Sequence, residues 1–270
     1  MIIRSHNGGY LLIRQTDHAL LSGRFAAHWG NERFARPEPF ESCHLAAALH
    51  DFGWGAWEKQ PKLDPATRQP LDFLHVSAPD HIALYRAGIA EAVRRDAYAG
   101  LLVSMHGAGL YRGRYGPDPQ SRIARSPDAL RPAMLAYVAE QDALQAQLRR
   151  SLAPVGSMDE FGRRAETNHR LMQKWDRLSL CLCTSDLRWA PEGHLAPCPT
   201  GYGGEEITLT LRPAWPSSVA VSPYPFDVTP LVVCVEARTI PASACADEET
   251  YRRAYRHADR TTLTFEVHSA

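Results

Sequence analysis

Along the 270 residues the spacing of apolar positions changes period twice, and each change marks a change in the type of element. At the start, apolar residues alternate with polar ones on either side of Asn7-Gly8-Gly9, in MIIRSHNGGYLLIRQ. Alternation turns one face of an extended chain towards a core, and Asn-Gly supplies the positive φ angles of a tight turn. Residues 2 to 13 are therefore expected to form two short strands. From Gln15 to about Asp186 the apolar positions fall three or four apart, in LLSGRFAAHWG, ESCHLAAALHDFGWGAW, DHIALYRAGIAEAVRR, AGLLVSMHGAGLY, DALRPAMLAYVAEQDALQAQLRR and DEFGRRAETNHRLMQKWDRLSLCLCTSD. That spacing is the one-sided stripe of an α-helix and predicts a core of about six helices. Ser126 is expected to cap the fifth, with Pro127 in the first turn, where a missing N–H costs little.

Between Ala190 and Glu205 the pattern breaks in a run with Pro191, Pro197, Pro199 and four glycines. Beyond it the period is two. EEITLTLR, SSVAVSPYPF, LVVCVEARTI and TLTFEVHSA are rich in β-branched residues and read as strands, with one helix expected in ADEETYRRAYRHA. A lone hairpin is marginal in water, so the N-terminal pair is expected to join these strands in one antiparallel or mixed sheet. The predicted class is α+β and mainly helical. Residues 1–14 form the hairpin, 15–190 the helical core and 191–270 a β-rich C-terminal appendage.

Composition narrows the partners. Lys+Arg and Asp+Glu number 30 each, so no global field attracts nucleic acid or an anionic membrane, and an anionic small-molecule substrate must be held by local charge. The N-terminal apolar stretch is interrupted by Arg4, His6 and Gly8-Gly9, unlike a signal or transit peptide. No apolar run approaches the roughly 20 residues of a membrane helix. A cytoplasmic location is expected. The six cysteines lack CxxC units and read as free thiols in a reducing compartment; Cys181-x-Cys183 has no matching second pair to hold a metal.

The candidate chemistry lies in the histidines. In LAAALHDFGWGAW the adjacent His50 and Asp51 close an apolar helix and run into Gly53 and Gly55. Two polar side chains at a buried helix end are costly unless paired, and a divalent cation is the natural partner for imidazole beside carboxylate. Taken alone, His50 and Asp51 read better as a helix cap and a turn residue than as metal ligands. Four more residues sit among apolar neighbours at helical spacing: His18, His81, His106 and Asp176.

One histidine, an HD doublet and a later aspartate, here His18, His50-Asp51 and Asp176, resemble the HD superfamily of metal-dependent phosphohydrolases. His81 and His106 between doublet and aspartate look like those of its dinuclear branch, which includes cyclic dinucleotide phosphodiesterases and inositol-oxygenase-like diiron enzymes. The whole chain also looks like a bacterial family of this superfamily catalogued without a known function. The resemblance implies an HD-like helical core in which His18, His50, Asp51 and Asp176 hold one ion, His81 and His106 a second, and Asp51 bridges them. His75 is the alternative to His81. The GYP tripeptide of the cyclic dinucleotide branch is only loosely echoed by GLYRGRYGP, and Lys59 lies later than that branch's lysine.

One or two divalent ions are expected, iron or manganese before zinc or magnesium. In the hydrolase reading His50 and Asp51 are the catalytic pair and the metals lower the pKa of a water that attacks phosphorus. Arg112, Arg114 and Lys59 are the candidates to hold the phosphate, with Arg177 a further one. His169, two turns before Asp176, is a candidate to orient it. Two other functions fit the same residues: a mixed-valence diiron oxygenase, and a non-catalytic metal- or ligand-binding module.

Overall fold

The computed structural model describes residues 1–113, 122–184, 187, 192–214 and 217–270. The fold is α+β. Strands β1 (Ile2–His6) and β2 (Gly9–Ile13) pair antiparallel with His6 opposite Gly9, which leaves Asn7 and Gly8 as a two-residue loop. Their φ angles, 46° and 76°, are the left-handed pair that matches the twist of a hairpin. There follow α1 (Gln15–Ala27), α2 (Phe40–Leu49), the short α3 (Trp54–Glu58), α4 (Ala78–Arg95), α5 (Ala97–Arg112), α6 (Arg122–Arg125), α7 (Arg131–Leu152) and α8 (Met158–Thr184). The C-terminal part holds β3 (Gly193–Pro199), β4 (Glu206–Ala214), β5 (Ser218–Ser222), β6 (Leu231–Pro241), α9 (Glu248–His257) and β7 (Arg260–Ser269).

The start of α7 differs from expectation. The Ser126 hydroxyl donates back to the Arg122 carbonyl at 2.8 Å, a 3₁₀ turn at Asp128–Leu130 intervenes, and Pro132 occupies the first turn. The residues at the N-cap positions are Pro127 for the 3₁₀ turn and Leu130 for α7, neither with a side-chain cap bond, so Ser126 lies too early in the chain to cap α7.

The seven strands run in the order β1-β2-β6-β7-β5-β4-β3, with β5 and β7 parallel and every other pair antiparallel. The N-terminal hairpin joins through β2 and β6, as expected. Strand β3 arises from the proline-rich run that reads as a break. It lies at the sheet edge, with a register shift between Leu195 and Cys198, and an edge tolerates the missing N–H groups of Pro197 and Pro199.

Alternation in β2 assigns its two faces. Leu11 and Ile13 join the main core with Val233, Val235 and Val267, while Leu12 turns to a smaller cluster with Ile240, Tyr251 and Tyr255 beneath α9. The main core is continuous from sheet to helices. Helix α5 runs through it, buried without a break from Tyr98 to Gly109, as befits a helix with no charged side chain in that stretch. The turn after α2 approaches α4 so closely that a Cβ on Gly53 would lie 1.9 Å from the Leu84 carbonyl oxygen. Among the described residues no helix is long and apolar enough to cross a membrane.

Candidate metal centre

Four helices and one turn bring the predicted residues together. His18 comes from the first turn of α1, His106 from α5, Asp176 from α8, and His50-Asp51 from the end of α2. All five are buried; none is more than 4% exposed. The Nε2 atom of His18 lies 3.0 Å from Asp176 Oδ1 and 3.7 Å from Asp51 Oδ2. That of His50 lies 3.4 Å and 3.6 Å from the same two oxygens, and the two Nε2 atoms are 3.2 Å apart.

The far side of each ring decides what these nitrogens carry. His50 Nδ1 faces the Ala47 carbonyl at 2.8 Å, and a carbonyl only accepts, so the proton is on Nδ1. His18 Nδ1 meets the Ser179 hydroxyl, which in turn donates to the Asp176 carbonyl at 3.0 Å, so Nδ1–H donates here too. Both Nε2 atoms then present lone pairs to each other and to two carboxylates. Such a group repels itself unless a cation stands between its members. The two carboxylates draw positive charge to the same point: burial alone would lower the His50 imidazolium, but Asp51 and Asp176 outweigh it and raise it to about 9, so near neutral pH a proton on Nε2 competes with a metal ion for this position. Burial pushes Asp176 up, yet His50 and His18 hold it well below the usual carboxylate range.

The spacing fits a first-row ion. Metal–ligand distances of about 2.0–2.2 Å imply neighbouring donors about 3.0 Å apart in an octahedral site and about 3.5 Å in a tetrahedral one. His18, His50 and Asp51 form one converging set of donors, and His50, His106 and Asp176 another that shares His50. His106 thus stands with the HD doublet and Asp176 rather than with His81. His81 belongs to neither set among the described residues. Its Nδ1 meets the Tyr111 hydroxyl at 2.8 Å, and burial, with Arg122 and His106 adding, keeps the ring neutral.

Tyr85 is the member that sequence reading misses. One turn after His81 on α4, its hydroxyl donates to Asp51 Oδ1 at 2.7 Å while Oδ2 faces the histidines. Burial and the adjacent Asp51 charge push the phenol well up, so it remains a donor. The i, i+4 spacing of His81 and Tyr85 was the available signal. Tyr85→Phe keeps the ring but removes this bond, and metal affinity measured by competition with a chromogenic chelator is expected to fall about 10- to 100-fold.

A cavity of about 950 Å³ adjoins the centre, lined by His18, Asp51, His81, His106 and Asp176 together with Arg122, Arg177, Phe73, Leu110 and Leu180. Two expected phosphate ligands lie elsewhere. Arg112 forms an ion pair with Asp142 of α7, because six residues after His106 is about 240° round the helix, whereas Leu110 and Gly113 return to the cavity. Lys59, at the end of α3, is exposed and lines a different cavity. Arg114 lies outside the described residues. Arg177 lines the cavity as expected, and Arg122, which sequence reading passed over, joins it from α6 while donating to the Val76 carbonyl at 2.5 Å. His75 is exposed at the rim, and His81 is the buried one of the two. His169 faces Gln173 at 3.4 Å; two turns of α8, about 10 Å, separate it from Asp176.

A family model described as a protein of unknown function, DUF3891, matches residues 1–242. The chain belongs to the DUF3891 family. No curated protein and no solved structure matches it. The match to DUF3891 takes in both N-terminal strands, all of α1 to α8 and β3 to β6, so every residue of the candidate metal centre falls inside the family's extent.

Proposed function

We propose that this DUF3891 protein is a metal-dependent hydrolase of a small anionic phosphoester, built on an HD-type centre. The observation that carries the reading is the convergence of His18 and His50 on two buried carboxylates, Asp51 and Asp176, which line a cavity that Arg122 and Arg177 also line. The order His18, His50-Asp51, Asp176 supports an HD-type assignment. His18, His50, Asp51 and Asp176 would hold an ion, with His106 beside them to extend the set; imidazole and carboxylate together suit iron, manganese or zinc, and magnesium less well. A bound divalent ion supplies Lewis acidity and brings the ionisation of a water near neutral pH.

The chain's own groups do the rest. The carbonyl of Ala47 and the Ser179 hydroxyl fix the two histidine tautomers, and Tyr85 fixes the rotation of Asp51. Arg122 and Arg177 supply planar, always-charged donors to phosphoryl oxygens at the cavity wall. His81, neutral and anchored by Tyr111, is a group able to take up or give a proton beside the substrate.

The test is a turnover assay with bis(p-nitrophenyl) phosphate and p-nitrophenyl phosphate in the presence of manganese or iron(II). Release of nitrophenol that stops on chelation is expected. Arg122→Gln is expected to raise KM about 10-fold with kcat little changed, the mark of a group that binds ground and transition states alike. Metal-dependent oxygen consumption without phosphoester cleavage would replace this reading with the diiron oxygenase one.

A further inference from the structure

A second cavity, of about 710 Å³, lies on the reverse of the turn that carries Asp51. Asp51 and Trp54 face the metal-centre cavity; Phe52, Gly53 and Gly55 face this one, and the two share no lining residue. Four cations from four separate elements meet at its wall: Arg14 before α1, Lys59 at the end of α3, Arg238 on β6 and Arg256 on α9.

Their charges are not equally compensated. Arg14 is paired to Asp17 through two bonds of 2.6 and 2.7 Å. Among the described residues Arg238 donates to the carbonyls of Tyr255 and Ala258, at 3.2 and 3.5 Å, lies 5.1 Å from the centre of the Tyr255 ring and forms no ion pair, so its charge is not offset by a carboxylate there. Lys59 and Arg256 are exposed and form no ion pair among the described residues. The one carboxylate on the wall, Glu58, is buried and turned inward to the Gln15 amide and the Thr16 hydroxyl, at 2.5 and 3.3 Å. Several other surface arginines are each matched with a glutamate, as in Arg86–Glu140, Arg170–Glu206, Arg212–Glu192 and Arg260–Glu236. In a chain of zero net charge, three uncompensated cations around one concavity are a local excess, and low-dielectric walls concentrate its field.

We propose that this cavity is a binding site for a small anion carrying two or more negative charges, of the phosphate class. Arg238 is the anchor, held rigid by its carbonyls and ring, and Lys59 and Arg256 close on the ligand from the rim. The site is independent of the hydrolase reading, because none of its residues belongs to the metal centre. An occupant would press on the reverse of the Phe52–Gly55 turn, next to Asp51 in the chain.

Calorimetric titration of inorganic pyrophosphate into chelated protein at low ionic strength tests this. Three proteins are compared: the native chain, the Lys59→Gln/Arg256→Gln double variant and His50→Ala. Saturable binding is expected in the native chain, at least about 10-fold weaker in the double variant and unchanged in His50→Ala. Both substituted rim residues are exposed, so the fold of the double variant is not at risk. Equal binding by the double variant, loss of binding in His50→Ala alone, or no binding by the native chain would each overturn the proposal.

Discussion

Saturating a chelated sample with manganese or iron(II) is expected to raise its thermal unfolding midpoint by about 5–10 °C, and Asp176→Asn is expected to remove that increment. A ligand that binds only the folded chain stabilises it by about 2.7 kcal/mol at a hundred times its Kd. For a chain of this size each kcal/mol moves the midpoint by about 2–4 °C. The increment should be large here because the folded chain brings together donors that otherwise lie far apart in sequence, at 18, 50, 51 and 176. Asparagine has the shape of aspartate, so the packing of α8 survives. It lacks the charge, and the oxygen or amide it offers to His18 and His50 cannot replace a carboxylate as a metal ligand. Scanning calorimetry with and without metal separates the two effects: Asp176→Asn should change the chelated midpoint far less than it changes the metal-dependent rise.

The largest effect on the fold itself is expected from Gly53→Ala. Gly53 has φ −60°, a conformation open to any residue, so its identity is not a matter of backbone strain. It is a matter of space. The added Cβ would lie 1.9 Å from the Leu84 oxygen, 2.8 Å from the Leu84 carbon and 3.0 Å from the Gly88 nitrogen, all backbone atoms of α4. Neither partner can rotate away, so the turn and α4 must separate, and that displaces Asp51 from Tyr85. A loss of about 3 kcal/mol or more is expected in chemical denaturation, above the common range for overpacking, together with loss of metal binding. Gly8→Ala is the contrast. Gly8 needs a positive φ of 76° but has nothing within 4 Å, so only the strain of about 1–2 kcal/mol applies, and metal binding should be untouched.

The cluster that forms the candidate metal centre was legible in the sequence because burial and chemistry conflict there. His18, His50, Asp51, His106 and Asp176 stand among apolar residues at helical spacing, where an unpartnered charge could not persist. The six longer helices of the core, α9 and four of the C-terminal strands were legible from periodicity alone, whereas the short α3, read as one stretch with α2, and α6 were not. Strand β3 was not, since Pro197 and Pro199 read as a break unless one knows that the strand is at an edge. The positions of Arg112 and Lys59 were not legible either. Closeness in sequence to a ligand says little about direction, and the rotation of α5 and α3 carries both side chains away from the cavity. Tyr85 escaped notice for a different reason: a tyrosine on an amphipathic helix is ordinarily core, and only the tertiary approach of Asp51 gives its hydroxyl a role. Arg122 depends likewise on how α6 folds back over Val76.

The most direct test of the metal centre is elemental analysis of the purified protein by mass spectrometry, beside His50→Ala and Asp51→Ala prepared in the same way. Stoichiometric iron, manganese or zinc is predicted in the native chain, with nearly all of it lost from both variants while circular dichroism remains native-like. Full metal retention in folded His50→Ala and Asp51→Ala would contradict the account.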